Sequence, residues 1–254
     1  MSQLIDIKDK VVLITGSSKG IGRAIAENFA SLGAKVVISS RKAGPCEEVA
    51  NGIRNNGGQA IAVPCHIGDK AQLQNLVDTT LNEWGRIDVL ICNAATNPVY
   101  GPLSELEDGA FDKIMEVNVK GAFWLCNMVL PGMAENGGGK VILLSSIAGL
   151  RGNTVIGCYG MSKAAEAAMA RNLACEWGPK GINVNAIAPG IVVTDFAKAL
   201  IDDPQRRVQA ESSTPLRRLG QPDDIAGVAL FLATRASDYV TGQIIVADGG
   251  ETIS

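Results

Sequence analysis

A single histidine, His66, stands among 254 residues. That excludes a multi-histidine metal centre, and a Ser–His–Asp hydrolase would have to use His66 as its base. The six cysteines contain no C-x-x-C pair, so neither a zinc knuckle nor a thioredoxin-like couple is written here. Several lie inside apolar runs, where a thiol behaves as a small hydrophobe, and a reduced, cytoplasmic protein is the reading. No run of lysine and arginine exceeds two residues and the net charge is −3, which leaves no footprint for nucleic acid. No apolar run approaches the roughly 18 residues of a membrane span, and repeats, low-complexity tracts and linkers are absent. Residues 1–254 therefore read as one domain.

What is present is a recurring β-branched run: 11–15, 35–39, 60–64, 88–92, 140–144, 182–187 and 243–247. These runs are continuous rather than alternating, as strands buried on both faces should be. Helix-like segments fall between them near 20–32, 44–57, 69–84, 108–134, 158–178 and 222–233. The alternation predicts an α/β fold: a doubly wound, seven-stranded parallel sheet with helices on both faces. The stretch 189–221 carries Pro189, Gly190, Pro204, Pro215 and Gly220 and little periodicity, which reads as a lid over a functional site or as a weakly patterned helix plus turns.

Immediately after the first strand comes TGSSKGIG (15–22), opening a helix. Strand, glycine turn and helix N-terminus together aim backbone N–H groups at a phosphate. Gly16 permits the tight turn, Gly20 a close approach of backbone to a pyrophosphate, and Gly22 close packing of helix on strand. After the second strand the chain reads ISSRK (38–42), with Ser40 and Arg41 where an NAD site places an acid. A guanidinium and a hydroxyl pair with a 2′-phosphate that a carboxylate would repel, and Lys19 adds a second cation. The cofactor expected is NADP(H).

Of the three tyrosines, Tyr100, Tyr159 and Tyr239, Tyr159 has a lysine four residues on, Lys163. On a helix those positions share a face. A free phenol ionises near pH 10, too high for efficient acid–base work at neutrality, and a nearby ammonium lowers that value. Ser146 follows the fifth strand, and Asn118 lies in EVNVK (116–120).

TGSSKGIG, NAA (93–95), Asn118, Ser146, the Tyr159–Lys163 pair and PGIVVT (189–194) together resemble the short-chain dehydrogenase/reductases, from about residue 9 to 250. The resemblance implies a single Rossmann-type domain and a homotetramer. It also implies that Tyr159 is the general acid, Ser146 binds the substrate oxygen, and Lys163 binds the nicotinamide ribose and depresses the tyrosine pKa. Asn118 would hold a water linking Lys163 to a proton relay. Thr194 would hold the carboxamide, with Ile191 and the Pro189–Gly190 turn beside the ring, and Asn93 with Ala94 would line the cleft. Ser18 and Ile21 of the glycine turn complete the expected contacts. Where the family often has an acid after the third strand, this chain has His66 in CHIGD (65–69), so adenine contact is expected from His66 or Ile67. SSRK, CHIG and NAATNP further resemble the branch of NADPH-dependent carbonyl and retinal reductases.

Substrate-facing residues are expected on 94–103, 147–157 and 191–213, beyond the carboxyl ends of the strands. Ile147, Leu150, Val155 and Phe196 make that surface apolar, with Arg151 and Asn153 as the polar exceptions. Such a pocket suits a neutral, hydrophobic ketone or aldehyde. An alternative is a 3-oxoacyl-thioester reductase whose Arg206, Arg207, Arg217 and Arg218 meet an acidic carrier protein. A non-catalytic dinucleotide sensor is the third reading, against which the intact Ser146, Tyr159 and Lys163 argue.

Overall fold

Alternate residues of each apolar run leave the sheet on opposite sides, and both sides are covered. In the first strand Val12 and Ile14 join one buried cluster while Leu13 joins another across the sheet. This computed structural model describes residues 4–254, the side chains of 199 and 200 apart, so the first three residues of the expected domain lie outside it. The strands are β1 (Val11–Thr15), β2 (Lys35–Ser39), β3 (Gln59–Ala62), β4 (Val89–Cys92), β5 (Gly139–Leu144), β6 (Ile182–Pro189) and β7 (Ile244–Ala247). They form one sheet in the order β3-β2-β1-β4-β5-β6-β7, parallel throughout. The expected seven-stranded, Rossmann-type parallel sheet is the architecture found.

Helices α1 (Gly20–Ser31), α2 (Ala43–Asn55) and α9 (Pro222–Ala233) cover one face through Ile25, Phe29, Val49, Ile225 and Leu232. On the other lie α3 (Lys70–Trp84), α5 (Gly121–Glu135) and α6 (Gly157–Trp177), through Leu73, Leu76, Leu125, Leu130 and Leu173. Each fully buried Leu, Ile or Phe stabilises the fold by about 1.5–3 kcal/mol. Strand order reverses between β1 and β4, and the crevice beyond their carboxyl ends is where such sheets bind ligands.

One expectation changes and one open reading is resolved. The helix expected over 108–134 is α4 (Asp108–Met115), a π-turn (Glu116–Lys120) and then α5. The π-turn shifts the helical phase at Asn118, a break that continuous apolar periodicity does not reveal. For 189–221 the reading of weakly patterned helix plus turns describes the local structure, which holds α7 (Lys198–Ile201) and α8 (Pro204–Ser213). Asp203 caps α8 by accepting from Gln205 N and Arg206 N at 2.8 and 3.3 Å, and Pro204 starts it. No residue of α8 is buried, so it leaves no apolar period to detect. Its segment is tied at both ends, Gly220 N donating to Ile191 O (3.0 Å) and Val193 N to Gly220 O (2.9 Å).

Candidate active site

The glycine turn is held by contact as much as by hydrogen bonds. Asn93, just past β4, donates its side-chain amide to Thr15 O (2.9 Å) and Gly16 O (3.1 Å). A Cβ on Gly16, whose φ is +67°, would stand 2.8 Å from that amide nitrogen, and one on Gly22 would stand 2.5 Å from it. The tight-turn and close-packing roles expected of these two glycines thus have a direct steric basis. Asn93 acts here as the prop of the turn. Ala94 N donates to Thr15 Oγ1 at 3.1 Å, fixing the opposite wall. Helix α1 begins at Gly20 with no side-chain cap and no acid in its first turn, so its leading N–H groups and positive dipole end face the crevice uncompensated. Ser18 is half-buried beside them and Ile21 packs against the core. Across the crevice Thr194 lies close: its Cγ2 would be 3.2 Å from a Cβ on Gly20. Pro189 and Gly190 end β6 beside β7, and Gly190 N donates to Ala247 O (3.1 Å). This uncapped helix end and backbone cradle fit the diphosphate of a dinucleotide.

At the end of β2 the Ser40 hydroxyl meets Cys46 Sγ at 3.1 Å. Arg41 is exposed and makes no ion pair among the described residues. Lys19 reaches over the crevice to Asp195 at 3.4 Å, both side chains largely exposed. His66 Nδ1 accepts from Gly68 N (3.0 Å) and its main-chain N donates to Gln72 Oε1 (2.8 Å), so the ring braces the turn into α3 and carries its proton on Nε2. Ile67 is buried beneath α5, where Gly121 alone permits the approach: a Cβ there would stand 2.6 Å from Ile67 O.

The other half of the site is a joint between the β5 exit and α6. Ser145 is buried and its hydroxyl donates to Lys163 O at 2.7 Å. Its neighbour Ser146 turns to the crevice, where its hydroxyl accepts from Ala148 N (3.1 Å) and is near enough to the Tyr159 phenol to lower its pKa slightly. The two adjacent serines are thereby told apart, as the spacing to Tyr159 suggests. Lys163 is buried and its Nζ donates to Leu144 O at 2.6 Å and to both oxygens of Glu166 at 3.0 and 2.8 Å. The same ammonium lies 5.5 Å from the centre of the Tyr159 ring. Burial pushes the phenol pKa up, Lys163 pulls it down and Glu166 pushes it up again, so the net shift is upward. The expected depression by Lys163 is present but outweighed. Glu166 had no part in the sequence reading, although its place seven residues after Tyr159 puts it on the same helical face.

Asn118 is fully buried at the π-turn and clamps three segments. Its Oδ1 accepts from Thr96 N (2.8 Å), and its Nδ2 donates to Thr96 O and Ser162 Oγ, both at 3.0 Å. The side chain is thus fully engaged in holding the 93–97 loop against α6.

Of the expected substrate residues, Phe196 meets Tyr159, ring centres 5.7 Å apart and tilted by 42°. Ile147 is buried in the turn after Ser146. Arg151 pairs with Glu251, and Asn153 Oδ1 accepts from Val155 N (2.7 Å) and Ile156 N (2.9 Å), so both polar exceptions are committed within the chain. Beside Tyr159 a pocket is lined by Val99, Leu103, Ile114, Val155 and Ile156.

Residues 16–252 match the family described as enoyl-(acyl carrier protein) reductase. The chain belongs to the short-chain dehydrogenase/reductase family. It is 38% identical over 244 residues to rabbit (Oryctolagus cuniculus) dehydrogenase/reductase SDR family member 4, covering 96% of this chain and 94% of that one. A 7α-hydroxysteroid dehydrogenase solved with NADH and 7-oxo glycochenodeoxycholic acid superposes with a TM-score of 0.94 at 38% identity, covering 98% and 97% of the two chains. A gluconate 5-dehydrogenase from Burkholderia cenocepacia J2315, solved with NADP and tartrate, gives 0.95 at 32% identity, covering 99% and 98%. The chain is therefore an oxidoreductase of a family whose solved members hold NAD(P) nucleotides. Among the described residues, no helix of this family member is long and apolar enough to cross a membrane.

Proposed function

We propose that this chain is an NADPH-dependent reductase of neutral, hydrophobic ketones or aldehydes, running alcohol oxidation in reverse. The observation that carries the reading is one meeting point: Ser146 and Tyr159 stand together at the crevice, with the Lys163 ammonium 5.5 Å from the Tyr159 ring centre and a small, largely apolar pocket beside it. The nicotinamide supplies the hydride. Ser146 holds the carbonyl oxygen, and Tyr159 gives that oxygen its phenolic proton. The Tyr159 phenol is protonated at neutrality; burial raises its pKa and weakens it as a donor, and the pull of Lys163 works against that rise. On this reading Lys163 would bind the nicotinamide ribose by giving up part of its bonding to Glu166 and Leu144 O, and Asn118 holds the adjoining 93–97 loop.

Support for NADPH comes from this chain's own residues, since relatives are named with either nucleotide. Arg41 is exposed beside Ser40 and has no ion pair among the described residues, and no carboxylate stands at 40–42. The exposed rim of Val99, Tyr100, Leu103, Leu150, Val155 and Phe196 supports a hydrophobic substrate. The description of the matched family favours a second reading, reduction of an acyl thioester carried by a protein. Against a free basic docking face, Arg206, Arg207 and Arg218 pair with Asp203, Glu211 and Asp224. Exposed Phe111 and Phe123 on α4 and α5 support burial against further copies, as in a homotetramer. The absence of disulfides among the six cysteines supports a reducing, cytoplasmic setting.

The test follows NADPH oxidation at 340 nm (an absorbance wavelength) over aliphatic, cyclic and aryl ketones, aldehydes and acetoacetyl thioesters. NADPH-favouring turnover of hydrophobic carbonyls is expected, with Tyr159→Phe reducing kcat roughly 10²–10⁴-fold. Best activity on the thioester would select the second reading. Nucleotide binding without turnover, unaffected by Tyr159→Phe, would leave a sensor.

A further inference from the structure

Tyr159, Lys163 and Glu166 occupy one face of α6 at spacings of four and three. Glu166 is buried, with 1% of its surface exposed, on a helix whose other buried residues are mainly small. Burying a carboxylate and an ammonium together is costly and does not by itself stabilise a fold. The pair is nonetheless placed within two turns of the proton-donating phenol, with both Glu166 oxygens on Lys163 and the ammonium also bonded to Leu144 O. The titratable groups facing Glu166 are Lys163 and Tyr159 on its own helix and Cys92 at the end of β4, a free thiol beside that of Cys126 on α5. Tyr100 faces Tyr159 from the 94–103 loop. Lys163 is thus the only cation in this group.

We propose that Glu166 is a positioning residue of the Tyr159–Lys163 pair: it anchors the ammonium at the β5 exit and offsets part of its field at the phenol, keeping Tyr159 protonated into alkaline solution and favouring carbonyl reduction over alcohol oxidation. The proposal rests on Tyr159 being the proton donor. Burial pushes the Glu166 carboxyl up to about 7 against the pull of Lys163, so the offset grows as the medium turns from acid to alkaline. A negative charge near a phenol opposes its ionisation, and removing that charge lowers the phenol's pKa.

Glu166→Gln keeps the side-chain shape and one acceptor for Lys163. Glu166→Asp keeps the charge and controls for a packing defect. Enzyme labelled with tyrosine carrying ¹³C at Cζ has three such resonances, and Tyr159→Phe assigns one of them. Its midpoint is read by NMR across pH, without nucleotide and again with NADPH. In Glu166→Gln the Tyr159 midpoint should fall by about one pH unit. The alkaline rise of kcat for alcohol oxidation should move down with it, and Glu166→Asp should restore most of both. An unchanged midpoint in folded Glu166→Gln overturns the proposal, as does a midpoint that falls while the rate profile stays in place. Equal shifts in Glu166→Asp and Glu166→Gln would assign the effect to packing and overturn it too. The NMR midpoint does not require turnover. Failure of the reductase reading would instead appear as Tyr159→Phe retaining full rate, a separate result.

Discussion

Around β1, α1 and β4 the crevice is built from main chain at contact distance, whereas residues 191–221, tied by main-chain bonds at their ends and by a small buried cluster, reach their surroundings largely through ion pairs in solvent. On the first side, Gly16 and Gly22 leave no room for a methyl group against Asn93. On the second, Lys19–Asp195, Arg207–Glu211 and Arg218–Asp224 join side chains that are one third to two thirds exposed or more. Interactions of the first kind are steric and unforgiving, and those of the second are screened by solvent and individually weak. A binding wall for a constant ligand can be rigid, while a wall that admits varied carbonyls gains from being cheap to rearrange.

The comparison breaks most visibly at Gly22. A Cβ there would stand 2.5 Å from Asn93 Nδ2 and 2.6 Å from Gly16 O, so Gly22→Ala should cost roughly 1–3 kcal/mol, lower Tm by roughly 2–10 °C and weaken NADPH binding. Gly227→Ala, on the exposed side of α9 with nothing within 4 Å, should leave Tm equal or raise stability by about 0.5–1 kcal/mol. Differential scanning calorimetry of the pair checks both, and equal losses would remove the steric account. A smaller change is expected from Arg41→Ala, which should reduce the NADPH:NADH ratio of kcat/KM roughly 10–100-fold through loss of a charge-assisted contact, with the NADH value little altered. An unchanged ratio would move the 2′-phosphate site elsewhere. Asp195→Asn should shift Tm least, since its pair with Lys19 is exposed, and should raise NADPH affinity by no more than about fivefold as Lys19 is released. That gain should shrink in high salt, and a large stability loss would mean that the second wall is as rigid as the first.

Much of the first wall was legible because its chemistry is local. Seven β-branched runs declare strands buried on both faces, and a glycine turn between a strand and a helix declares its own geometry. The pairing of Tyr159 with Lys163 is likewise a matter of helical spacing. What escaped depended on groups brought together across the chain. Helix α8, PQRRVQAESS, is all surface and carries no apolar stripe, so only its Asp203 cap and Pro204 start could have announced it. The π-turn at Asn118 sits between two periodic segments and is invisible to periodicity. Glu166 looked like one more polar residue of an alanine-rich helix. The signal was there in its spacing, but its meaning depends on burial, which β4 and α5 impose. Arg151 and Asn153 were polar residues on the right loop, and their partners, Glu251 and the main chain at 155–156, were unreadable from spacing.

The joint between the β5 exit and α6 has a consequence for how such a protein can change over generations. Ser145 bonds to Lys163 O, a Cβ on Gly149 would strike Ala164 N at 2.7 Å, and one on Gly160 would strike Ala148 O at 2.6 Å. Loop and helix are therefore locked at three points drawn from within 145–164, and the described contact with the 191–221 segment is made through Phe196. The pocket beside Tyr159 draws Val155 and Ile156 from that locked stretch and Val99 and Leu103 from the 94–103 loop, so the loop is the part of its wall that can drift without loosening the joint.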